Sequence, residues 1–508
     1  MLLRSIRTTL AAAARHFSVE VAAEKAIQNK GTGDGRDSIG RRLFSLVYSK
    51  RSAVITIQKW KSEGHNVQKY QLNRIVRELR KIKRFKHALE VCEWMTQQKD
   101  MKLLPGDYAV HLDLIAKVRG LTSAEKFFED LPDQMRGWQV CTSLLHTYSM
   151  NKLLEKAEAL MRKMAECSFL KNPLPYNHML SLYVAEGQLE KVPGIIEELK
   201  KKTSPDVVTF NLRLRVCSLQ NDVETAEEVL KELRKAKVEP DWITYSTLTN
   251  LYIKNELLQK AASSLKEMEK RASRKNRIAY SSLLSLHTNA GDKASVHRIW
   301  NKMKSLFRKM SDAEYTCMMA SLAKLGEIEK AENLYTEWEA VSGSGDPQVP
   351  NILLAAYINN NLIEEAETFH DRIVQKGIRP AYTTWELLTW GHLKEKHMEK
   401  VLDYFKKAIT SVERWNPDKK LVGEVFKNLE ENGNVEKAEE FLVMLRDAGV
   451  LSTEIYNSLL RTYEKAGKMP LIVAERMKKD DVKLNEETNR LIQKTSTMCV
   501  SDVSSYVS

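Results

Sequence analysis

The feature that most constrains the fold of this chain is an amino-acid pattern that recurs every 35 residues. The stretch VVTFN starts at Val207, WITYS starts at Trp242 and RIAYS starts at Arg277. Carrying this register along the chain gives twelve units of 32 to 37 residues, at 69–104, 105–137, 138–172, 173–206, 207–241, 242–276, 277–311, 312–346, 347–381, 382–418, 419–452 and 453–484. Such a period is typical of arrays in which each repeat buries its apolar face against its neighbours.

Each unit carries the pattern of two helices joined by a turn. Apolar side chains recur at helical spacing in the first half, as at Tyr176, Met179, Leu180 and Tyr183, and again in the second half. Between the halves, seven units have a residue that tolerates the left-handed conformation at a helix end: Gly187, Asn221, Gly291, Gly326, Asn361, Gly433 and Gly467. We therefore expect an all-α fold, a right-handed α-solenoid of about 12 helix–turn–helix repeats whose first helices line a concave groove.

The segments outside the array differ in composition. Apolar residues at helical spacing in 39–68 predict N-terminal capping helices before the repeat array at 69–484. Residues 18–38 contain GTGDG and are expected to form a flexible linker, and residues 485–508 to form a C-terminal cap and tail.

Residues 1–17 have the composition of an organelle-targeting peptide. They carry three arginines, hydroxyl residues and a run of alanines, and no acidic residue precedes Glu20. The sequence RHFS at 15–18 resembles a mitochondrial processing site, and a secretory signal is disfavoured because arginines interrupt its short apolar run. We expect a mitochondrial targeting peptide, with a chloroplast leader as the alternative.

The charge favours a polyanionic partner. The chain has 80 Lys and Arg against 67 Asp and Glu, a formal net charge of +13. Lysine and arginine that neutralise phosphates release condensed counterions, although a well-solvated helical surface would give the same excess. The sequence has no uncharged apolar run long enough to span a membrane, so we expect no membrane span.

The chain lacks the patterns that catalysis or cofactor binding requires. The His-x-Glu and Cys-x-x-Cys pattern of zinc deaminases is absent, Gly467-Lys468 is not part of a P-loop, and the six cysteines are too scattered for a zinc knuckle. We expect no catalytic residues, no metal and no cofactor.

Several phrases resemble a known family. SPDVVTFN at 204–211, EPDWITYS at 239–246 and DAGVLSTEIYNSLL at 447–460, together with the 35-residue period, look like pentatricopeptide repeats. The block at 69–95 resembles a plant subgroup of short members made only of repeats. This resemblance implies an organelle protein that binds single-stranded RNA, one base per repeat.

The resemblance also implies which residues read the bases. In the family, the fifth residue of the first helix and the last residue of the unit contact one base, since amide, hydroxyl and carboxylate groups can satisfy a Watson–Crick edge. The matching pairs here are Thr142 with Asn172, Asn177 with Asp206, Asn211 with Asp241, Ser246 with Asn276, Ser281 with Ser311, and Thr316 with Asp346. By the family's rule these units would read A-U-U-A-N-G.

Aliphatic residues at the second place resemble those that sandwich each base in the family: Leu174, Val208, Ile243 and Ile278. A purely structural explanation stands beside this one. Asp206 and Asp241 precede helices, where aspartate is a favoured N-cap. Outside the six units the pairs match no strong code, as for Glu386 with Asp418.

Three functions remain open at this point. The first is a single-stranded RNA-binding protein that acts in maturation, stability or translation of a mitochondrial transcript. The second is a structural component of the plant mitochondrial ribosome that binds ribosomal RNA. The third is a protein-binding scaffold, which would leave the basic charge and the base-reading residues without a use.

Overall fold

Pairs of helices joined by short turns follow one another along the chain. A computed structural model describes residues 38–46, 52–342, 347–412, 415 and 418–500. The predicted targeting peptide 1–17, residues 18–37 of the predicted linker and the predicted reading residue Asp346 lie outside the described residues. The described part divides into two compact units at Ala313 and Glu314.

The first unit contains α1 (Ile39–Phe44), α2 (Ala53–Ser62), α3 (Lys69–Lys81), α4 (Phe85–Gln97), α5 (Pro105–Arg119), α6 (Leu121–Asp130), α7 (Trp138–Met150), α8 (Leu154–Glu166), α9 (Leu174–Glu186), α10 (Val192–Lys202), α11 (Val207–Gln220), α12 (Val223–Lys235), α13 (Trp242–Lys254), α14 (Leu258–Arg271), α15 (Arg277–Asn289) and α16 (Lys293–Leu306). Short 3-10 turns precede α7 and α10. Within this unit α9 contacts α11, α11 contacts α13 and α13 contacts α15, so the first helices of successive repeats lie side by side.

The second unit holds most of α17 (Asp312–Lys324), then α18 (Ile328–Val341), α19 (Gln348–Asn359), α20 (Ile363–Gln375), α21 (Tyr382–Lys394), α22 (Met398–Thr410), α23 (Lys419–Glu431), α24 (Val435–Asp447), α25 (Thr453–Ala466), α26 (Val473–Lys479) and α27 (Glu486–Thr495). First helices again lie side by side, from α19 through α21 and α23 to α25. The last helix, α27, packs on α25 in the position of one further first helix.

Small alanines let the two helices of a repeat approach closely. In eight of the repeats, the fourth residue of the second helix is an alanine that is fully buried or nearly so: Ala88, Ala124, Ala157, Ala226, Ala261, Ala331, Ala366 and Ala438. Large apolar residues of the first helices are buried in the same clusters as these alanines, as Tyr176 is with Ala157 and Phe210 with Ala226. Within each unit the core therefore extends along the stack, where a repeat is buried by its neighbours.

The turns inside the repeats use the left-handed backbone that the sequence predicts. Asn221 and Asn361 have φ of 60° and 59°. Lys152 and Glu256 adopt the same conformation at equivalent places, with φ of 59° and 60°, although neither residue type signals it. The all-α class and the repeat of helix–turn–helix units are confirmed.

One contact near the C terminus was not predicted. Residues Lys468–Met469 form a short strand, β1, that pairs in parallel with β2 (Cys499–Val500). The pairing attaches the segment after α27 to the end of α25. Among the described helices, none combines the length and the apolar character that crossing a membrane requires.

Candidate nucleic-acid interface

Two of the predicted reading pairs are joined by direct hydrogen bonds. The Asn177 amide donates to Asp206 Oδ1 at 3.0 Å, and the Asn211 amide donates to Asp241 Oδ1 at 3.1 Å. Each asparagine lies on the first helix of one repeat, and each aspartate immediately precedes the first helix of the next. The contact therefore depends on the packing of neighbouring repeats.

The aspartates also cap the helices that they precede. Asp206 Oδ1 accepts the backbone N–H of Thr209 at 2.8 Å, and Asp241 Oδ1 accepts that of Thr244 at 2.9 Å. These hydrogen bonds show that both aspartates act as helix N-caps. The hydrogen bonds that these aspartates make with described residues all use Oδ1 and leave Oδ2 without one.

The threonines complete both clusters. The Thr209 hydroxyl donates to Asn177 Oδ1 at 2.7 Å, and the Thr244 hydroxyl donates to Asn211 Oδ1 at 2.7 Å. Both threonines are fully buried. The resulting groups, Asn177–Asp206–Thr209 and Asn211–Asp241–Thr244, are called the first and second triads below.

Two of the other predicted pairs, Thr142 with Asn172 and Ser246 with Asn276, make different hydrogen bonds. The Thr142 hydroxyl donates to the Trp138 carbonyl, and Asn172 Oδ1 accepts the backbone N–H of Leu174. Ser246 shares a hydrogen bond with Ser282 at 3.0 Å, while Asn276 caps α15 through Ala279. Ser281 begins no triad of this composition, because Ser311 stands where the triads have aspartate. Thr316 is buried on α17.

The four predicted sandwiching residues form a series of exposed aliphatic side chains. Leu174, Val208, Ile243 and Ile278 are between 42 % and 57 % exposed, although each begins a helix whose other apolar residues are mostly buried. Each lies three residues before a fifth-place residue of the same helix. Flat apolar surface is therefore available beside each fifth-place residue of α9, α11, α13 and α15.

A polar cleft of about 470 Å³ runs along α11, α13 and α15. Its lining includes Ser246 and is otherwise mostly hydroxyl and amide side chains, namely Ser218, Thr247, Asn250, Ser282, Ser285 and Asn289. Two cations, Arg215 and Lys254, also line it. Both are exposed, and neither pairs with an acid among the described residues. The cleft thus offers hydrogen-bonding groups and uncompensated positive charge.

Sequence reasoning missed a further triad at the C-terminal end. The Thr488 hydroxyl donates to Asn457 Oδ1 at 2.7 Å, and the Asn457 amide donates to Asn485 Oδ1 at 3.4 Å. Closing the last unit at residue 484 left Asn485 outside it. The signal was present, because NEET at 485–488 has the N-cap and the threonine of DVVT and DWIT.

Two variants of the triad lack one component. Asn351 accepts from the Thr384 hydroxyl at 3.0 Å, but Ala381 stands at the acid position. At the other end of the chain, the Asn73 amide donates to Asp107 at 2.9 Å, with the acid three residues later than usual.

One predicted weak pair consists of two acids. Glu386 is at the fifth place of α21, and Asp418 caps α23. Burial, followed by the negative charge of Asp418, raises the pKa of Glu386 to about 7. At neutral pH this repeat therefore presents a partly protonated carboxyl group rather than an amide.

Histidines on α7 and α9 add no positive charge to this surface. The rings of His146 and His178 lie 4.8 Å apart between centroids. Burial lowers the pKa of both, and for His178 to about 4. Within the described residues, no group of three or more His, Cys, Asp or Glu is placed to hold a metal ion.

Family models for pentatricopeptide repeats and a related repeat region match several stretches of the chain. The PPR repeat model matches residues 140–169, 315–340 and 350–378, and a pentatricopeptide repeat domain model matches 169–218. The model of the pentacotripeptide-repeat region of PRORP matches 197–315.

The similar proteins extend over the whole chain. A mitochondrial pentatricopeptide repeat-containing protein of Arabidopsis thaliana is 58 % identical over 528 residues, covering 100 % of this chain and 99 % of that protein. A second mitochondrial member from the same plant is 34 % identical, over 85 % of this chain and 89 % of its own. These names bear out the expected mitochondrial localisation.

A solved structure shares the fold. The crystal structure of the maize pentatricopeptide repeat protein PPR10 in complex with an 18-nt psaJ RNA element aligns with a TM-score of 0.50 and 18 % identity. The alignment covers 96 % of this chain and 70 % of that chain.

Proposed function

The chain belongs to the pentatricopeptide repeat family, and we propose that it is a mitochondrial single-stranded RNA-binding protein that reads one base per repeat. The observation that carries this proposal is the repeated Asn–Asp contact across neighbouring repeats. The RNA complex of PPR10 supports RNA as the ligand, since that protein shares the fold. The partner is then a single-stranded segment of an organellar messenger or ribosomal RNA.

The second triad offers the more accessible reading site. Asn211 and Asp241 are half-buried, whereas Asn177 is only 4 % exposed. Asn211 has a second amide proton, and Asp241 has a second carboxylate oxygen, so the pair presents a donor beside an acceptor. An unstacked base offers the complementary groups on its Watson–Crick edge.

Exposed aliphatic residues would hold the base in the plane of the reading groups. Val208 and Ile243 are the second residues of the two helices that meet at the second triad. A base between these side chains would be shielded from water on both faces, and this burial of apolar surface contributes to affinity whatever the base. Sandwiching and reading therefore supply affinity and specificity through different residues.

The backbone of the RNA would follow the polar cleft. Arg215 and Lys254 lie on successive first helices, and their charges are uncompensated. Cations that neutralise phosphates make binding dependent on salt. The serines and asparagines between them can accept or donate hydrogen bonds to ribose hydroxyls.

The proposed mechanism is occlusion without catalysis. A bound segment would be protected from nucleases and prevented from refolding, which would alter maturation, stability or translation of the transcript. The experiment that tests this is ultraviolet crosslinking and immunoprecipitation from isolated mitochondria, with sequencing of the bound RNA. A peak at one messenger or intron site resembling AUUANG supports the proposal, and recovery of no RNA above background contradicts it and favours a protein-binding scaffold.

A structural role in the mitochondrial ribosome is the second candidate. It is favoured by the irregular reading positions, such as Ala381 in place of the acid and Glu386 opposite Asp418. Irregular reading positions are better suited to one fixed RNA partner than to selecting a target RNA by its sequence. Reads confined to one place in ribosomal RNA, together with co-sedimentation with a ribosomal subunit at high salt, would establish this alternative.

A further inference from the structure

We infer that Thr209 and Thr244 are positioning residues that fix the orientation of the reading amides, an inference that rests on the proposed base-reading function. Each threonine lies three residues after the reading aspartate, at the third place of the next repeat. Each is fully buried, so its hydroxyl meets only protein groups. It acts through the asparagine of the preceding repeat.

Counting protons assigns the direction of the two hydrogen bonds that orient the Asn211 amide. Asp241 is an acceptor when ionised, so the group that faces it from Asn211 must be the amide nitrogen. The amide oxygen of Asn211 then faces the Thr244 hydroxyl at 2.7 Å. Two oxygens at that distance require a proton between them, and the amide oxygen has none, so Thr244 donates here in preference to Asp241 Oδ1, which lies farther away at 3.0 Å. The amide oxygen of Asn211 is thus bonded to Thr244, and one of its two N–H groups is bonded to Asp241. The other N–H is the group that Asn211 can offer to a base.

The contact is not a by-product of helix capping. Asn351 is held in the same way by Thr384, which is fully buried, although Ala381 replaces the capping acid. Conversely, Asp222 caps the second helix α12 through Thr225 with no asparagine involved. The threonine–asparagine bond thus persists without the acid, and the acid–threonine cap persists without the asparagine.

Loss of the threonine hydroxyl should reduce discrimination between bases more than it reduces affinity. When the hydroxyl is absent, the Asn211 oxygen lacks its donor and the amide is held only by its bond to Asp241, so its remaining N–H is less well oriented toward the base. Bases that the wild-type geometry rejects would then be tolerated. Sandwiching by Val208 and Ile243 would be unchanged.

The test measures binding of the full chain to an RNA containing AUUANG and to versions changed at the second or third base. The variant Thr244→Val keeps the shape of the side chain and removes the hydroxyl, and Thr244→Ser restores it. We expect Thr244→Val to lower the affinity ratio between U and the other bases at the third position about threefold to tenfold, the range for one lost hydrogen bond. Discrimination at the second position, which belongs to Thr209, should stay unchanged.

Two matched controls separate positioning from folding. Thr225→Val removes the equivalent capping hydroxyl from α12 and should alter neither ratio. Thr209→Val is the reciprocal variant and should affect the second base only, so the test survives if one variant folds poorly.

The outcomes distinguish the inference from the proposed function. An unchanged third-base ratio in Thr244→Val, in a protein where Asn211→Ala abolishes it, overturns the positioning role alone. Equal losses at both bases indicate general damage and overturn it as well. If the wild-type ratio is already one and Asn211→Ala changes nothing, base reading itself is wrong.

Discussion

Arg476 and Glu439 form an ion pair whose side chains are only 5 % and 1 % exposed. The pair joins α26 to α24, and Tyr463 of α25 donates to the same carboxylate at 2.7 Å. Three helices at the C-terminal end of the array are therefore held by one buried acid. Removing one partner of such a pair leaves the other charge buried without compensation.

We expect Glu439→Ala to lower the free energy of unfolding of this region by about 3–5 kcal/mol, the usual cost of an uncompensated buried charge. Chemical denaturation followed by circular dichroism measures the change. Glu436→Ala is the matched control, because Glu436 is exposed on the same helix. Equal stability of the two variants would contradict the structural role of the pair.

The stability of the second unit should depend on pH through Glu386. Its folded pKa of about 7 lies above the ordinary value of 4.5. Between these values the folded state keeps a proton that the unfolded chain has lost, so the free energy of unfolding falls as pH rises from 4.5 through 7. We expect Glu386→Gln to remove this fall and to raise the Tm at pH 8 by on the order of 2 °C.

Thermal melts of wild type and variant at pH 5 and pH 8 check this prediction. Glu399→Gln, at an exposed site on α22, is the control and should leave the pH profile of the wild type unchanged. A Glu386→Gln profile parallel to that of the wild type would show that the carboxyl group titrates normally.

The cleft cations should govern the salt dependence of RNA binding. Arg215→Ala and Lys254→Ala should each reduce the slope of log affinity against log salt by about 1, because each removes one phosphate contact. The loss should be the same for the predicted and a scrambled RNA. Lys231→Ala, on the second helix α12, should leave the slope unchanged, and a slope that none of these substitutions alters would place the phosphates elsewhere.

The exposed aliphatic series should supply affinity without specificity. Ile243→Ala should weaken binding to the predicted and the scrambled RNA alike, by about 1 kcal/mol or more, because burial of apolar surface does not depend on which base is bound. Leu258→Ala removes a similarly exposed side chain from the second helix α14 and serves as the control. Fluorescence anisotropy titrations measure both, and a loss confined to the predicted RNA would assign Ile243 a reading role instead.

Substitutions in the reading pair should instead cause a loss of affinity that depends on the RNA sequence. Asn211→Ala and Asp241→Ala should weaken binding to the predicted RNA more than to a scrambled one, because only a matched base uses their donor and acceptor. Competition titrations with the two RNAs give the comparison. Equal losses on both would be incompatible with base reading by this pair.

The sequence alone was sufficient for the repeats, the paired helices and most turn positions. These features are local: the spacing of apolar residues sets each helix, and asparagine at 221 or glycine at 187 sets the turn. Even the capping role of Asp206 follows from its place before α11. The period then determines that each repeat packs on the next.

The tertiary structure decided which side chains meet across repeats. Asn177 and Asp206 are bonded while Thr142 turns to its own helix, because a hydrogen bond depends on ångström-scale placement of two helices that no local pattern specifies. The same packing brought Thr209 and Thr488 into the triads, and placed Asn485 at the reading position. Residue types could propose partners for a base, but only the packed array determines how those partners are oriented.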